Sequence, residues 1–167
     1  MNLLIVGINH TSAPVGLREK VAFTPEQLSD ALHDLARVTD FAEVTVLSTC
    51  NRTEIIAAAE NTDEVKVIDW LAAYHGMPVA DLQPSIYIKQ NQEAAHHAVR
   101  VACGLDSMVV GEPQILGQVK DAYEHAASIG ILGSELHHLS QNTFRIAKRV
   151  RSETAIGENS VSIASTT

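Results

Sequence analysis

Aromatic residues are scarce in this chain: Phe, Trp and Tyr together make up 4% of its 167 residues. The interior must therefore come mostly from Val, Ile, Leu and Ala, and an apolar fraction of 46% is enough to supply it. Cysteine is also rare. Cys50 and Cys103 are too few for a disulfide framework, so a reducing cytoplasm is the expected setting, with Cys50 a free thiol. No apolar run reaches the roughly 18 residues that a spanning helix requires. Positive charge is the minority sign, 12 Lys and Arg against 20 Asp and Glu. The net charge of −8 argues against coating nucleic acid through bulk positive potential, though a local basic patch stays open. The start, MNLLIVGINH, lacks a basic n-region and a small-residue cleavage site, so it reads as a first strand rather than a signal peptide. No internal repeat or low-complexity stretch is present. The length fits one compact domain, or one domain with a helical extension.

What is there falls into two halves. Leu3–Ile8 is a short apolar run read as a strand. Thr24-Pro25-Glu26-Gln27 is a helix start, with Thr at the N-cap, Pro at the first helical position and Gln three residues after the cap. Leu28, Ala31, Leu32 and Leu35 then recur at helical spacing. Glu43–Ser48 and Thr53–Ala59 read as two strands joined by the polar turn Thr49-Cys50-Asn51-Arg52. Thr62 is the expected cap of a second helix that ends at Gly76, and Ser85–Lys89 alternates as a fourth strand. This order, β-α-β-β-α-β, predicts an α+β, ferredoxin-like sandwich over residues 1–89. Strand signals then stop. Gln92–Ala102, Pro113–Ser128 and Ser134–Arg151 predict a helical subdomain over 90–152. In the last segment, Gly157 to Ser165, a cap-like Asn or Ser leads into small apolar residues, as though another helix were opening.

Cys50 is the most reactive group the pattern offers. A thiol attacks as its thiolate, which neighbouring cations and aligned N–H groups favour, and Arg52 is two residues away. The bland alternative is a small core residue at a strand end, but a polar turn suits core packing poorly. Cys103, on the apolar side of a helix, reads as core. The stretch GLDSMVVGEPQILGQ, residues 104–118, places Glu112 and Pro113 at a helix entry, with Gln114 and Gln118 on one helical face. Two amides and a carboxylate at a helix start suit a polar, amine-bearing ligand, although, taken alone, a capped, solvated helix end is the better explanation. Its glycines do not form a dinucleotide fingerprint. His96 and His97 are candidates for acid–base work or for a merely structural role. The histidines share no metal-ligand spacing with one another or with Cys50, so no metal is expected. Arg145, Lys148, Arg149 and Arg151 cluster at the end of a helix, suited to phosphate contacts or to the helix C-terminal dipole.

Ser48-Thr49-Cys50-Asn51-Arg52-Thr53-Glu54 and GLDSMVVGEPQILGQVKDAY resemble the bacterial glutamyl-tRNA reductase family. The likeness extends through Val6-Gly7-Ile8-Asn9-His10-Thr11, Arg18-Glu19 and AKRVRSETAIGENSVSIA, in order along essentially the whole chain. The resemblance implies reduction of the glutamyl ester of tRNA(Glu) to glutamate-1-semialdehyde, the entry to tetrapyrrole synthesis. In that reaction Cys50 attacks the ester carbonyl and an enzyme thioester is then reduced by NADPH. It also implies a glutamyl pocket formed by Thr49, Asn51, Arg52, Ser107, Glu112, Pro113, Gln114 and Gln118. There Arg52 would grip the side-chain carboxylate with its planar fork and Glu112 would meet the α-ammonium group. His97, rather than His96, falls at the family's activity-linked histidine.

Family members continue with an NADPH-binding domain and a helical dimerisation domain. The expectation is thus a catalytic domain over 1–152, a linker over 153–167, and a chain that transfers or hydrolyses glutamyl esters without reducing them. Full-length relatives are expected to be homodimers and this chain a monomer, with a downstream aminomutase or a regulatory protein as further partners. Two other readings are a free-standing cysteine hydrolase or acyltransferase using Cys50 and His97, and a non-catalytic module that binds tRNA or protein.

Overall fold

The computed structural model describes residues 1–153. The linker and the opening helix expected near the C-terminus lie outside the described residues, apart from residue 153, the last of a helix. Four strands, β1 (Asn2–Asn9), β2 (Glu43–Ser48), β3 (Arg52–Ala59) and β4 (Tyr87–Gln90), form one sheet in the order β2-β3-β1-β4. Every neighbouring pair is antiparallel. Helices α1 (Val15–Val21) and α2 (Pro25–Thr39) join β1 to β2, and α3 (Glu64–Tyr74) and α4 (Val79–Leu82) lead from β3 towards β4. This is the expected ferredoxin-like sandwich. Helices α5 (Asn91–Ala102), α6 (Gln114–Ser128) and α7 (Ser134–Glu153) follow.

The sheet is covered on both faces. Leu4, Val6 and Ile8 of β1 point into a core shared with Leu32 and Leu35 of α2 and Val67 and Leu71 of α3. Ile5, with Ile56 and Ala58 of β3, points the other way, against Val101 of α5, Ile115 and Val119 of α6 and Leu136 of α7. Strands buried on both faces read as continuous apolar runs rather than alternating ones, which is why Leu3–Ile8 carries no polar–apolar alternation. Cys103, which follows the last residue of α5, lies in the second core, as expected.

The outer edge of β2 is closed rather than open to pairing. Thr45 Oγ1 donates to the Ala122 carbonyl at 2.6 Å, and Val44 N–H donates to the Ile131 carbonyl at 3.1 Å. Covering an edge in this way removes a template for aggregation.

Several local expectations shift. The cap of α3 is Asp63, not Thr62: Asp63 Oδ1 accepts from Val65 N–H at 3.0 Å and Lys66 N–H at 3.4 Å. The fourth strand starts two residues late because Gln83–Ser85, containing Pro84, forms a 3-10 turn first. Pro113 precedes α6 rather than occupying its first position. The short helices α1 and α4 carry too few periodic residues to announce themselves.

Candidate active site

The end of the sheet where β1 finishes and β3 begins gathers several of the candidate site residues. Thr49 N–H donates to the Arg52 carbonyl at 2.8 Å and Asn51 N–H to Thr49 Oγ1 at 3.2 Å, closing the β2–β3 turn with Cys50 exposed at its tip. Arg52 pairs with Asn9 in the sheet register. Asn9 begins a loop, Asn9 to Ser12, in which Asn9 Oδ1 accepts from Thr11 and Ser12 N–H. That loop walls a cavity of about 450 Å³, lined also by Tyr87, Lys89, His97, Leu105, Asp106 and Ser107.

Beneath this cavity lies a buried polar network. Arg52, Glu54 and His97 are 2%, 1% and 8% exposed. Arg52 Nη1 donates to Glu54 Oε2 at 3.2 Å, and Arg52 Nη2 to the Asp106 carbonyl at 2.9 Å. His97 Nε2 lies 2.5 Å from the same Glu54 oxygen, and the Tyr87 hydroxyl donates to it as well. Asp106 is held from the other side by Arg100, at 3.0 Å. Burial alone would push the Glu54 carboxyl up, but the hydrogen bond from His97, with the charge of Arg52 and the hydrogen bond from Tyr87, holds it below the usual range. Burial and the neighbouring Glu54 charge push the Tyr87 phenol up, keeping it protonated as a donor.

The network fits because residue 7 has no side chain. Gly7 pairs with Glu54 on one side and Tyr87 on the other. A Cβ there would lie 2.7 Å from the Thr53 carbonyl oxygen and 2.8 Å from Glu54 Cγ. Glycine inside a strand often marks such a close approach.

The loop from Leu105 to Glu112 is pinched at its neck. Gly104 and Gly111 both have positive φ, Gly111 N–H donates to the Gly104 carbonyl at 3.0 Å, and a Cβ on Gly104 would meet Gly111 Cα at 3.0 Å. Arg151, near the end of α7, donates to the carbonyls of Gly111 and Glu112 at 3.3 and 2.7 Å. The tip is apolar and exposed: Met108 62%, Val109 50%, Val110 56%.

A family profile described as glutamyl-tRNA(Glu) reductase, N-terminal domain, matches residues 6–154. The chain belongs to that family. It is 53% identical over 164 residues to the glutamyl-tRNA reductase of Aromatoleum aromaticum, covering 98% of this chain and 39% of that protein. Against the Hahella chejuensis glutamyl-tRNA reductase the identity is 52% over 165 residues, again 98% of this chain and 39% of the relative. Among solved structures, glutamyl-tRNA reductase from Methanopyrus kandleri superposes with a TM-score of 0.78 at 33% identity, over 91% of this chain and 35% of that one. The chain thus spans well under half the length of these relatives.

Of the residues expected to form a glutamyl-tRNA site, the structure brings His97 and Ser107 to the wall of one cavity. Thr49, Cys50 and Asn51 sit on the adjoining turn, and Asn51 Oδ1 accepts from Arg18 at 3.5 Å. Arg52 lies under the cavity, its fork shared between Glu54 and Asp106. Glu112, Pro113 and Gln114 stand at the far end of the loop, where α6 starts. Gln118 lines a different groove, with Ser48, Pro25, Leu28 and His125. Sequence reasoning passed over Glu54, Tyr87, Asp106 and His10. Glu54 carried a signal: an acidic residue two positions from Arg52, hence on the same face of an otherwise apolar strand. His10 lines the cavity and its pKa is lowered, first by burial and then by the charges of Arg52 and Arg18. Asp106, which lines the same cavity, acts the other way. Among the described residues no three His, Cys, Asp or Glu side chains gather as a metal site would require, and no helix is long and apolar enough to cross a membrane.

Proposed function

We propose that this chain performs the acyl-transfer half of glutamyl-tRNA reduction, the first step of tetrapyrrole synthesis, with Cys50 as nucleophile. The observation that carries it is an exposed thiol on a tight turn beside a polar cavity, in a chain of this family. The thiolate attacks the ester carbonyl, the carbonyl–oxygen bond to the tRNA ribose breaks, and a glutamyl thioester is left on Cys50. Splitting the transfer in this way replaces one difficult step by two easier ones. Arg52 supplies the charge that attracts the glutamyl carboxylate, and Thr49, Asn51 and Ser107 give hydrogen bonds to the bound glutamyl group. Glu112 meets the α-ammonium group, with Pro113, Gln114 and Gln118 closing the site from the α6 side. His97 handles the proton.

Residues 1–152 act as the catalytic domain, with 1–89 the sandwich and 90–152 its helical part. In the complete reaction NADPH supplies hydride to the thioester. Its dinucleotide does not fit the described residues, whose glycines never fall in a G-x-G-x-x-G run between a strand and a helix. No reductive step is assigned to them, and the chain hydrolyses or exchanges glutamyl esters. It works in the cytoplasm as a monomer, its full-length relatives as homodimers that hand their product to an aminomutase.

The test is mass spectrometry of the intact chain after mixing with glutamyl-tRNA. A glutamyl adduct on the wild type and none on Cys50→Ser supports the assignment. An equal adduct on both, or none on either while the ester survives, refutes it.

A further inference from the structure

We infer that Glu54 is a positioning residue that fixes which nitrogen of His97 serves the reaction, leaving Nδ1 as the proton-transferring atom. The inference rests on the acyl-transfer reading above and deepens it.

An ionised carboxylate only accepts hydrogen bonds. Three donors converge on the single oxygen Oε2 of Glu54: Arg52 Nη1, the Tyr87 hydroxyl and His97 Nε2. The His97 contact therefore requires a hydrogen on Nε2. In the neutral ring the lone pair then sits on Nδ1, which lies on the side of Asp106, 3.9 Å from its Oδ2. Asp106 and His97 both line the cavity. A carboxylate that holds one imidazole nitrogen so that the other faces the substrate is the orienting arrangement of a nucleophile–base–orienter set.

The surroundings allow little freedom. Arg52 is anchored to the Asp106 carbonyl as well as to Glu54, so the carboxylate cannot swing away without stranding a buried guanidinium. Tyr87 reaches Glu54 past Gly7, where no side chain intervenes. The charged groups facing His97 are Glu54 and Arg52 from β3, Lys89 from β4, and Asp106 with its partner Arg100, while Tyr87 from β4 packs its ring at 5.4 Å. During transfer Nδ1 accepts the Cys50 thiol proton as the carbon–sulfur bond forms. It returns that proton to the ribose oxygen as the carbon–oxygen bond breaks, so no proton is gained or lost.

Two measurements test this. In the wild-type chain, ¹⁵N chemical shifts of a labelled His97 ring should report the Nε2–H tautomer at neutral pH; an Nδ1–H ring overturns the inference without any variant being needed. In single-turnover acylation, Glu54→Gln should slow adduct formation by about tenfold to a hundredfold, within the roughly 10²–10⁴-fold that a positioned acid–base group supplies. Glutamyl-tRNA affinity should be unchanged. Adding Glu54→Gln to His97→Asn should cost nothing further, since Glu54 acts through His97. A folded Glu54→Gln chain that acylates at the wild-type rate, or losses that multiply in the double variant, overturns the role. A wild type that never acylates refutes the acyl-transfer reading itself.

Discussion

The carboxylate of Glu43 occupies the space that a side chain at Gly133 would need: a Cβ there would lie 2.6 Å from Glu43 Cδ. From that position the buried Glu43 accepts from the N–H groups of Gly133, Glu135 and Leu136 at 2.9, 3.3 and 2.8 Å. The first residue of β2 thus caps the N-terminus of α7, where a negative charge also meets the favourable end of the helix dipole. Glu43→Ala should cost about 2 kcal/mol, the upper range for loss of a cap. Gly133→Ala should cost a similar amount by displacing the same carboxylate. The two should not add, because without Glu43 the new methyl meets no clash. Urea denaturation of both single variants and the double variant checks this, and additive losses would refute it.

Gly7 gives the second prediction. In a strand, Ala ordinarily improves on Gly by roughly 0.5–1 kcal/mol through chain entropy. At this position the added Cβ meets a backbone oxygen at 2.7 Å, which cannot yield as a side chain can. Gly7→Ala should therefore destabilise by about 1–3 kcal/mol, as overpacking does, and should slow acylation by shifting Glu54. Gly117→Ala, within α6 and with nothing within 4 Å of the new atom, should instead stabilise by about 0.5–1 kcal/mol. Melting curves for the pair separate steric loss from propensity gain.

The sheet and its five longer helices were legible because each depends on local pattern. The Thr24-Pro25 start of α2, with Gln27 Oε1 accepting from Thr24 N–H at 3.0 Å, is the clearest case. The turn holding Cys50 was equally plain, two apolar strands on either side of four polar residues. What stayed hidden depends on partners distant in sequence. Glu54 is 43 residues from His97, and Arg52 is 54 from Asp106. No periodicity predicts that these groups meet under one cavity. The same limit separated Gln118 from Gln114: one helix face was foreseen, but not that Gln118 borders a groove against α2.

Arg151 supports a third prediction. Its two terminal nitrogens hold the carbonyls of Gly111 and Glu112, fastening the exposed Met108–Val110 loop to α7. Arg151→Ala should lose about 1.5–3 kcal/mol, the range for hydrogen bonds made by a charged group, and should raise amide exchange across residues 105–112. Arg151→Lys should recover only part of this, since one ammonium does not reproduce a planar fork. Unchanged exchange in the loop of the alanine variant would mean that the Gly104–Gly111 neck holds it alone.

Acidification should weaken the fold through His75 before it reaches the carboxylates. The His75 ring packs against Phe23 at 4.7 Å and Tyr74 at 5.2 Å. Burial lowers its pKa below the ordinary 6.5, outweighing a backbone hydrogen bond with Val21 that acts the other way. His10 is shifted in the same direction by burial, Arg52 and Arg18. With folded values below the unfolded one, the unfolded chain binds more protons in mild acid. The contribution of the neutral rings is then complete above pH 6.5 and declines as the pH falls through the folded values. Glu54, held below 4.5, begins to lose its contribution only at lower pH, so the two windows are distinct. Urea midpoints measured at pH 7.5, 6.5 and 5.5 should change little over the first step and fall over the second for the wild type, and fall less for His75→Gln, which keeps a polar group but does not titrate. Parallel slopes for the two proteins would show that His75 is not the group that senses the pH.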